Sequence, residues 1–229
     1  MELYDIHTHQ VLLGNSDESY RSCILNVYPF EFETAKELYK QYAFSCGIHP
    51  WYSENSDMQM TYLSKIASDP SIVAIGETGL DKLKGASFDV QIAVFKKHIE
   101  LSEKLQKPVI VHCVKAWEDL IRVHRETKPT QPWIIHGYRG KPELTKQLIK
   151  EKLMFSVGEK INSQSMPLIP IDSLFCETDE GEMNIQEVYF QVAKAVNMNV
   201  GTFAGKIAEN AHRVFPTLET PKAYKLKKN

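Results

Sequence analysis

Two histidines one residue apart, His7 and His9, close the stretch LYDIHTH near the start of a 229-residue chain. In a strand, side chains alternate, so Asp5, His7 and His9 share one face and Ile6 and Thr8 the other. Two imidazoles on one face can hold a metal ion together, although the same pair also suits a polar strand end. Similar short motifs recur downstream: GIHP around His49, GETGLD with Glu77, VHC at His112, IHG at His136, and ETD ending in Asp179. Each alone has an ordinary explanation; Glu77 could cap a helix and Asp179 could open an Asx-turn. Together, several imidazoles and carboxylates gathered at one mouth cost several kcal/mol unless they are paired, hydrogen-bonded or metal-bound. The joint pattern therefore points to a metal centre. The remaining histidines, His98, His124 and His212, fall in helical patterns and read as surface or packing residues.

Convergence needs a scaffold, and the chain supplies one. Apolar runs predict strands over Leu3–His7, Cys23–Val27, Ala43–Ile48, Ile72–Glu77, Val109–His112, Trp133–His136, Met154–Val157 and Ser173–Glu177. Several are Val- and Ile-rich with little alternation, as parallel strands buried on both faces are. Helical patterns lie between them. Phe88, Ile92, Phe95 and Ile99 form one apolar stripe after Ser87 and Asp89, Pro142 and Glu143 suit a helix start, and GTFAGKIAENAHRVF is amphipathic. Strands alternating with helices predict an α/β fold, a single TIM-type (β/α)8 barrel over residues 1–216, with 217–229 as a solvated tail. The β1–β2 and β7–β8 connections are too short for full helices, and a flavodoxin-like open sheet is the structural alternative. In a barrel the C-terminal strand ends carry the chemistry, which is where these motifs fall.

Composition narrows the function. Lys and Arg total 27 against 29 Asp and Glu, for a formal charge of -2. Nothing in this balance advertises bulk attraction to nucleic acid, so polyanion binding has to come from a local patch or from bound cations. No apolar run approaches a membrane span, no signal-peptide pattern opens the sequence, and no obligatory protein partner is evident. Cys23, Cys46 and Cys176 fall in predicted strands and Cys113 directly follows one, without CxxC spacing, which predicts reduced thiols and a cytoplasmic protein.

DIHTH, GIHP, IGETGLD, PVIVHC, IHG and ETD, in that order, resemble the TatD-like metal-dependent hydrolases of the amidohydrolase superfamily. The resemblance runs from Asp5 to AENAHRVF at residues 208–215. It implies two divalent ions (Mg²⁺, Mn²⁺ or Zn²⁺): His7, His9 and Asp179 on the first, His112 and His136 on the second, and Glu77 bridging both. A bridge needs an anionic ligand with two oxygens, and neutral imidazoles suit the remaining positions. Asp5 and Glu177 would accept ring N–H bonds and fix the histidine tautomers, with a plain structural hydrogen bond as the alternative for Glu177. The chain departs from the family beside the ligands. Lys82 and Leu83 follow Asp81 where aromatics are common, Cys113 and Val114 replace a Ser-Arg pair, Arg139 stands where Ser is usual, and Glu180 where Pro is.

The resemblance implies phosphodiester hydrolysis, DNase-like and 3'-5' exonucleolytic on single strands or ends. Asp179 would orient the attacking water or take its proton, Glu77 would share the catalytic centre, and His49, Lys115 and Arg139 would grip the phosphate. Ordinary surface solvation is the competing reading of Lys115 and Arg139. A near-neutral chain fits DNA ends, single strands or small phosphodiesters better than processive duplex binding. The same ligands would also serve hydrolysis of an amide, lactone or aminoacyl ester. A catalytically silent binding barrel predicts loss of a ligand position, and none is missing.

Overall fold

The computed structural model describes residues 2–11 and 23–218. The expected tail from 219 onward and most of the β1–β2 connection lie outside the described residues. The Val- and Ile-rich runs form eight parallel strands in one sheet, ordered as in the chain: β1 (Asp5–Thr8), β2 (Cys23–Val27), β3 (Ala43–Cys46), β4 (Ile72–Asp81), β5 (Val109–Val114), β6 (Trp133–Ile135), β7 (Met154–Val157) and β8 (Leu174–Cys176). Among the described residues, seven α-helices accompany them: α1 (Phe32–Leu38), α2 (Asp57–Ile66), α3 (Phe88–Leu105), α4 (Trp117–Thr127), α5 (Pro142–Lys150), α6 (Ile185–Ala195) and α7 (Val200–Val214). This is the (β/α)8 class. The β7–β8 connection carries two 3-10 turns, Met166–Leu168 and Ile171–Ser173, and no α-helix, as its length predicts. No described helix is long and apolar enough to cross a membrane.

The chain divides into two compact units, one of Met1–Leu25, Gln41–Ala43 and Gly137–Asn229, the other of Asn26–Lys40 and Phe44–His136. In the first, β7 pairs with β8 through Phe155↔Leu174 and Val157↔Cys176. The strand predicted from Leu3 begins only at Asp5. The Tyr189 hydroxyl takes over the backbone of Tyr4, accepting from its N–H at 2.9 Å and donating to its carbonyl at 3.0 Å. Asn184 and Glu187 cap α6 reciprocally, and Asn199 caps α7.

In the second unit β4 runs four residues past its predicted end at Glu77. GETGLD stays in the ladder with β5, pairing Thr78↔Val111, Gly79↔His112 and Asp81↔Val114. Glycine allows this. Gly79 has φ +146°, and a Cβ there would collide with the His112 carbonyl; one on Gly76 would sit 2.5 Å from the Ile110 carbonyl. β3 shows the converse, ending at Cys46 rather than Ile48. The Ile48 N–H leaves the sheet and donates to His98 Nε2 at 2.9 Å, while His98 Nδ1–H donates to Val94 O at 2.8 Å.

His98 is thus a fully buried neutral ring tying α3 to the chain just before His49. Burial lowers its pKa from 6.5 to about 4. The unfolded chain takes up the proton first, so the stabilisation is complete above pH 6.5 and is lost as pH falls toward 4, by about 3 kcal/mol. Replacing His98 by Leu strands the Ile48 N–H and is expected to cost about 1–3 kcal/mol at pH 7. Denaturant unfolding across this pH range should also show a flatter pH dependence for the variant. An unchanged slope would refute this role.

Candidate metal centre

Within the second unit, the ends of β4, β5 and β6 and the turn after β3 bring four polar side chains onto one point. Glu77 Oε1 lies 2.8 Å from His112 Nδ1, 2.8 Å from His136 Nε2 and 3.1 Å from His49 Nε2. Glu77 is 4% exposed. Burial alone would raise its carboxyl pKa, but the charge of His136 and hydrogen bonds from His112, His136 and His49 outweigh it and hold the group well below the usual range. Asn26 aims the strand end: its Oδ1 accepts from Glu77 N at 2.7 Å and from Ser45 Oγ at 3.0 Å.

Hydrogen bonds assign the protons. His49 Nδ1 accepts from Trp51 N at 3.2 Å, so in the neutral ring Nε2 carries the hydrogen and donates to Glu77. Burial lowers the His49 pKa, which favours that neutral ring. His112 has a choice. Its Nδ1 shares a proton with Glu77 Oε1 at 2.8 Å, and its Nε2 faces Asp81 Oδ2 at 3.4 Å, an acceptor that can hold the ring hydrogen when Nδ1 gives its lone pair to a cation. A cation at this point would replace the shared proton. His112 Nδ1 and His136 Nε2 also lie 3.2 Å apart. A carboxylate oxygen and two imidazole nitrogens so disposed fit a divalent ion of zinc or manganese type.

The first unit holds a second donor set. β1 places His7 and His9 on one face, their rings edge to face at 5.0 Å. Asp179 joins them because its N–H donates to His7 O at 3.0 Å and its carbonyl accepts from His9 N at 3.2 Å. Asp179 takes a left-handed φ of 51°, which short polar side chains tolerate. His7 Nε2 and His9 Nε2 each stand 3.7 Å from Asp179 Oδ1. That is beyond hydrogen-bond reach, and it suits donors that converge on a shared cation at about 2.0–2.2 Å. The His7 side chain is fully buried, while that of Asp179 is 37% exposed, so this set is open on its carboxylate side.

Other expected site residues fare differently. His49, expected to grip phosphate, is 5% exposed and spends both nitrogens inside the protein. The Asp5 carboxylate accepts from Thr178 N at 3.0 Å and Thr178 Oγ1 at 2.6 Å. Burial raises the Asp5 pKa to about 7. Glu177 makes the structural bond, accepting from Gly137 N at 2.5 Å. Lys115 and Arg139 are exposed, one just past β5 and the other four residues past β6. Asn26, Asp81, Gln91 and Thr178 act on the site without having been singled out. The Gln91 carboxamide holds the chain after β4, accepting from Asp81 N and donating to the Asp81, Lys84 and Ala86 carbonyls. Asp81 alone had a signal, its place in GETGLD.

Comparison with known proteins bears on the family and the fold. A family described as TatD related DNase matches residues 15–216. A protein of Erwinia tasmaniensis named 3'-5' ssDNA/RNA exonuclease TatD is 30% identical over 81% of this chain and 84% of its own length. A Buchnera aphidicola protein described as an uncharacterized metal-dependent hydrolase is 25% identical over 75% of this chain and 73% of its own. The chain covers just over half, 56%, of the TatD exonuclease of Erwinia billingiae, at 32% identity over 59% of this chain. Among solved structures, the TatD homologue YJJV of Escherichia coli K12 superposes with a TM-score of 0.79 at 19% identity, over 94% of this chain and 98% of that one. That likeness speaks to the fold.

Metal binding should stabilise the protein through these donors. At a free Zn²⁺ or Mn²⁺ concentration about 100 times Kd, wild type should gain about 2.7 kcal/mol over the chelated form, a rise in Tm of roughly 5–10 °C. Glu77→Gln should lose most of that rise. An equal rise in both proteins, by differential scanning calorimetry, would place the ion elsewhere.

Proposed function

The chain belongs to the TatD related DNase family of metal-dependent hydrolases, and from that membership we propose that it hydrolyses phosphodiester bonds, shortening single-stranded nucleic acid from an end in the 3'-5' direction. The observation that carries this reading is the donor arrangement around Glu77, an ionised carboxylate inside three imidazoles. Relatives named as ssDNA/RNA exonucleases supply the substrate class. We assign His7, His9 and Asp179 to one divalent ion, and His112 and His136 with Glu77 to a second, either ion being Mg²⁺, Mn²⁺ or Zn²⁺.

Bound divalent ions supply a water of lowered pKa and neutralise charge on the phosphate. The chain's own groups do the rest. Asp179, half-exposed and beside two imidazoles, orients the attacking water and accepts its proton. Glu77 stays ionised and dry, so the charge of its site does not vary with solvent. His49 holds the Glu77 oxygen by an N–H bond and leaves the phosphate to exposed Lys115 and Arg139. Arg139 offers a planar fork and Lys115 a point charge. With four cysteines, none in a disulfide, a reducing compartment and hence the cytoplasm is the proposed location.

The test is end-labelled single-stranded DNA with Mn²⁺ or Mg²⁺, beside ester and amide substrates. Wild type should produce a ladder shortening from the 3' end. Asp179→Asn should be slower by about 10²–10⁴-fold, the usual worth of a positioned base. Equal rates in wild type and variant would reveal a contaminating nuclease, and turnover confined to the carbonyl substrates would replace this reading with amide or ester hydrolysis.

A further inference from the structure

The turn after β3 carries Trp51 and Tyr52 to the surface at 38% and 50% exposure. Trp51 is held rigidly. Its Nε1–H donates to Asp81 Oδ2 at 2.7 Å, the same oxygen that faces His112 Nε2, and its ring centre lies 6.3 Å from that of His112. An indole fixed by its edge keeps a flat apolar surface close to the Glu77 cluster. The Lys84 ammonium rests over this ring, 3.5 Å from its centre. Beside it opens a cleft of about 460 Å³ lined by Lys82, Leu83, Lys84 and Phe88, with Leu83 72% exposed. Lys82 reaches Asp119 at 2.5 Å and stands 4.9 Å from the Phe88 ring.

An anchored aromatic ring, an apolar floor and exposed lysines together are the components of single-strand recognition, where bases stack and phosphates meet lysines. On a chain of net charge -2, such a local patch is what nucleic-acid binding requires. We propose that Trp51 and the Lys82–Phe88 cleft form a nucleotide subsite for a single strand. An unpaired base takes the place of the Lys84 ammonium on the indole, and Lys84 moves to the adjoining phosphate. The proposal rests on the phosphodiesterase reading above, and it names what selects an unstacked base over a duplex.

A short, fluorescent phosphorothioate oligothymidylate reads binding apart from cleavage, by anisotropy over a range of salt with metal-loaded protein. Trp51→Ala should weaken binding roughly 5- to 150-fold, the worth of one base–aromatic stack. Trp51→Phe keeps a ring but loses the bond to Asp81, and it should stay within about threefold of wild type. The pair thus separates stacking from support of Asp81. Lys84→Ala should lower the slope of log binding constant against log salt by about 0.7, one phosphate contact. Stacking should also quench wild-type indole fluorescence, and the quench should vanish in Trp51→Phe, which retains Trp117 and Trp133. If wild type binds and cuts single strands while Trp51→Ala binds as tightly, the subsite is wrong and the phosphodiesterase reading stands. If wild type neither binds nor cuts them, both fall.

Discussion

A carboxylate taken out of water must be compensated, and the disposition of Glu77 governs much of this protein's second unit. The group is 4% exposed, yet it stays ionised because three ring nitrogens close on one of its oxygens within 3.1 Å. Holding that arrangement makes demands far from it. β4 has to reach Asp81 in register with β5, which only glycine at 79 permits. Asn26 has to receive the Glu77 amide, and His98 has to receive the Ile48 amide so that the chain turns at His49. Each support is itself buried, so its loss leaves an unsatisfied polar group.

The two donor sets differ in character. Around Glu77 the donor side chains are largely buried; the Trp51 amide fixes the His49 tautomer, and Asp81 stands where it can hold the His112 ring hydrogen. Around His7, His9 and Asp179 the carboxylate meets solvent and the separations of 3.7 Å exceed hydrogen bonds. A dry anionic seat retains a cation, whereas a half-open carboxylate can also address a water molecule. On the proposed hydrolytic reading, the first set would hold charge and the second would move a proton.

Much of this was legible in the amino-acid sequence because strand ends write their chemistry locally. His7 and His9 share a face by alternation alone, and the histidines and acids after the apolar runs lie where a parallel barrel puts its chemistry. Strand boundaries were less legible, because single long-range bonds decide them. Tyr189 captures the backbone of Tyr4 from 185 residues away, and His98 captures Ile48 from 50 away. The supports were hidden for the same reason. Asn26 is an ordinary polar residue in an apolar run until Glu77, 51 residues on, comes to it. His49 read as a phosphate ligand because sequence shows its neighbours and not its hydrogen-bond partners. Asp5 read as a partner for a histidine ring, but Thr178 lies nearer to its carboxylate than sequence separation suggests.

The central claim is that His112 and His136 offer lone pairs to a cation seated at Glu77, while His49 keeps its Nε2 proton on that carboxylate. Long-range ¹H–¹⁵N correlation spectra of the histidine rings, recorded before and after Zn²⁺ is added to chelated protein, test it most directly. The account predicts that His112 Nδ1 and His136 Nε2 move to metal-bound shifts and that His49 Nε2 remains protonated. Loss of the His49 Nε2 proton, or unchanged His112 and His136 rings with metal bound, would contradict it.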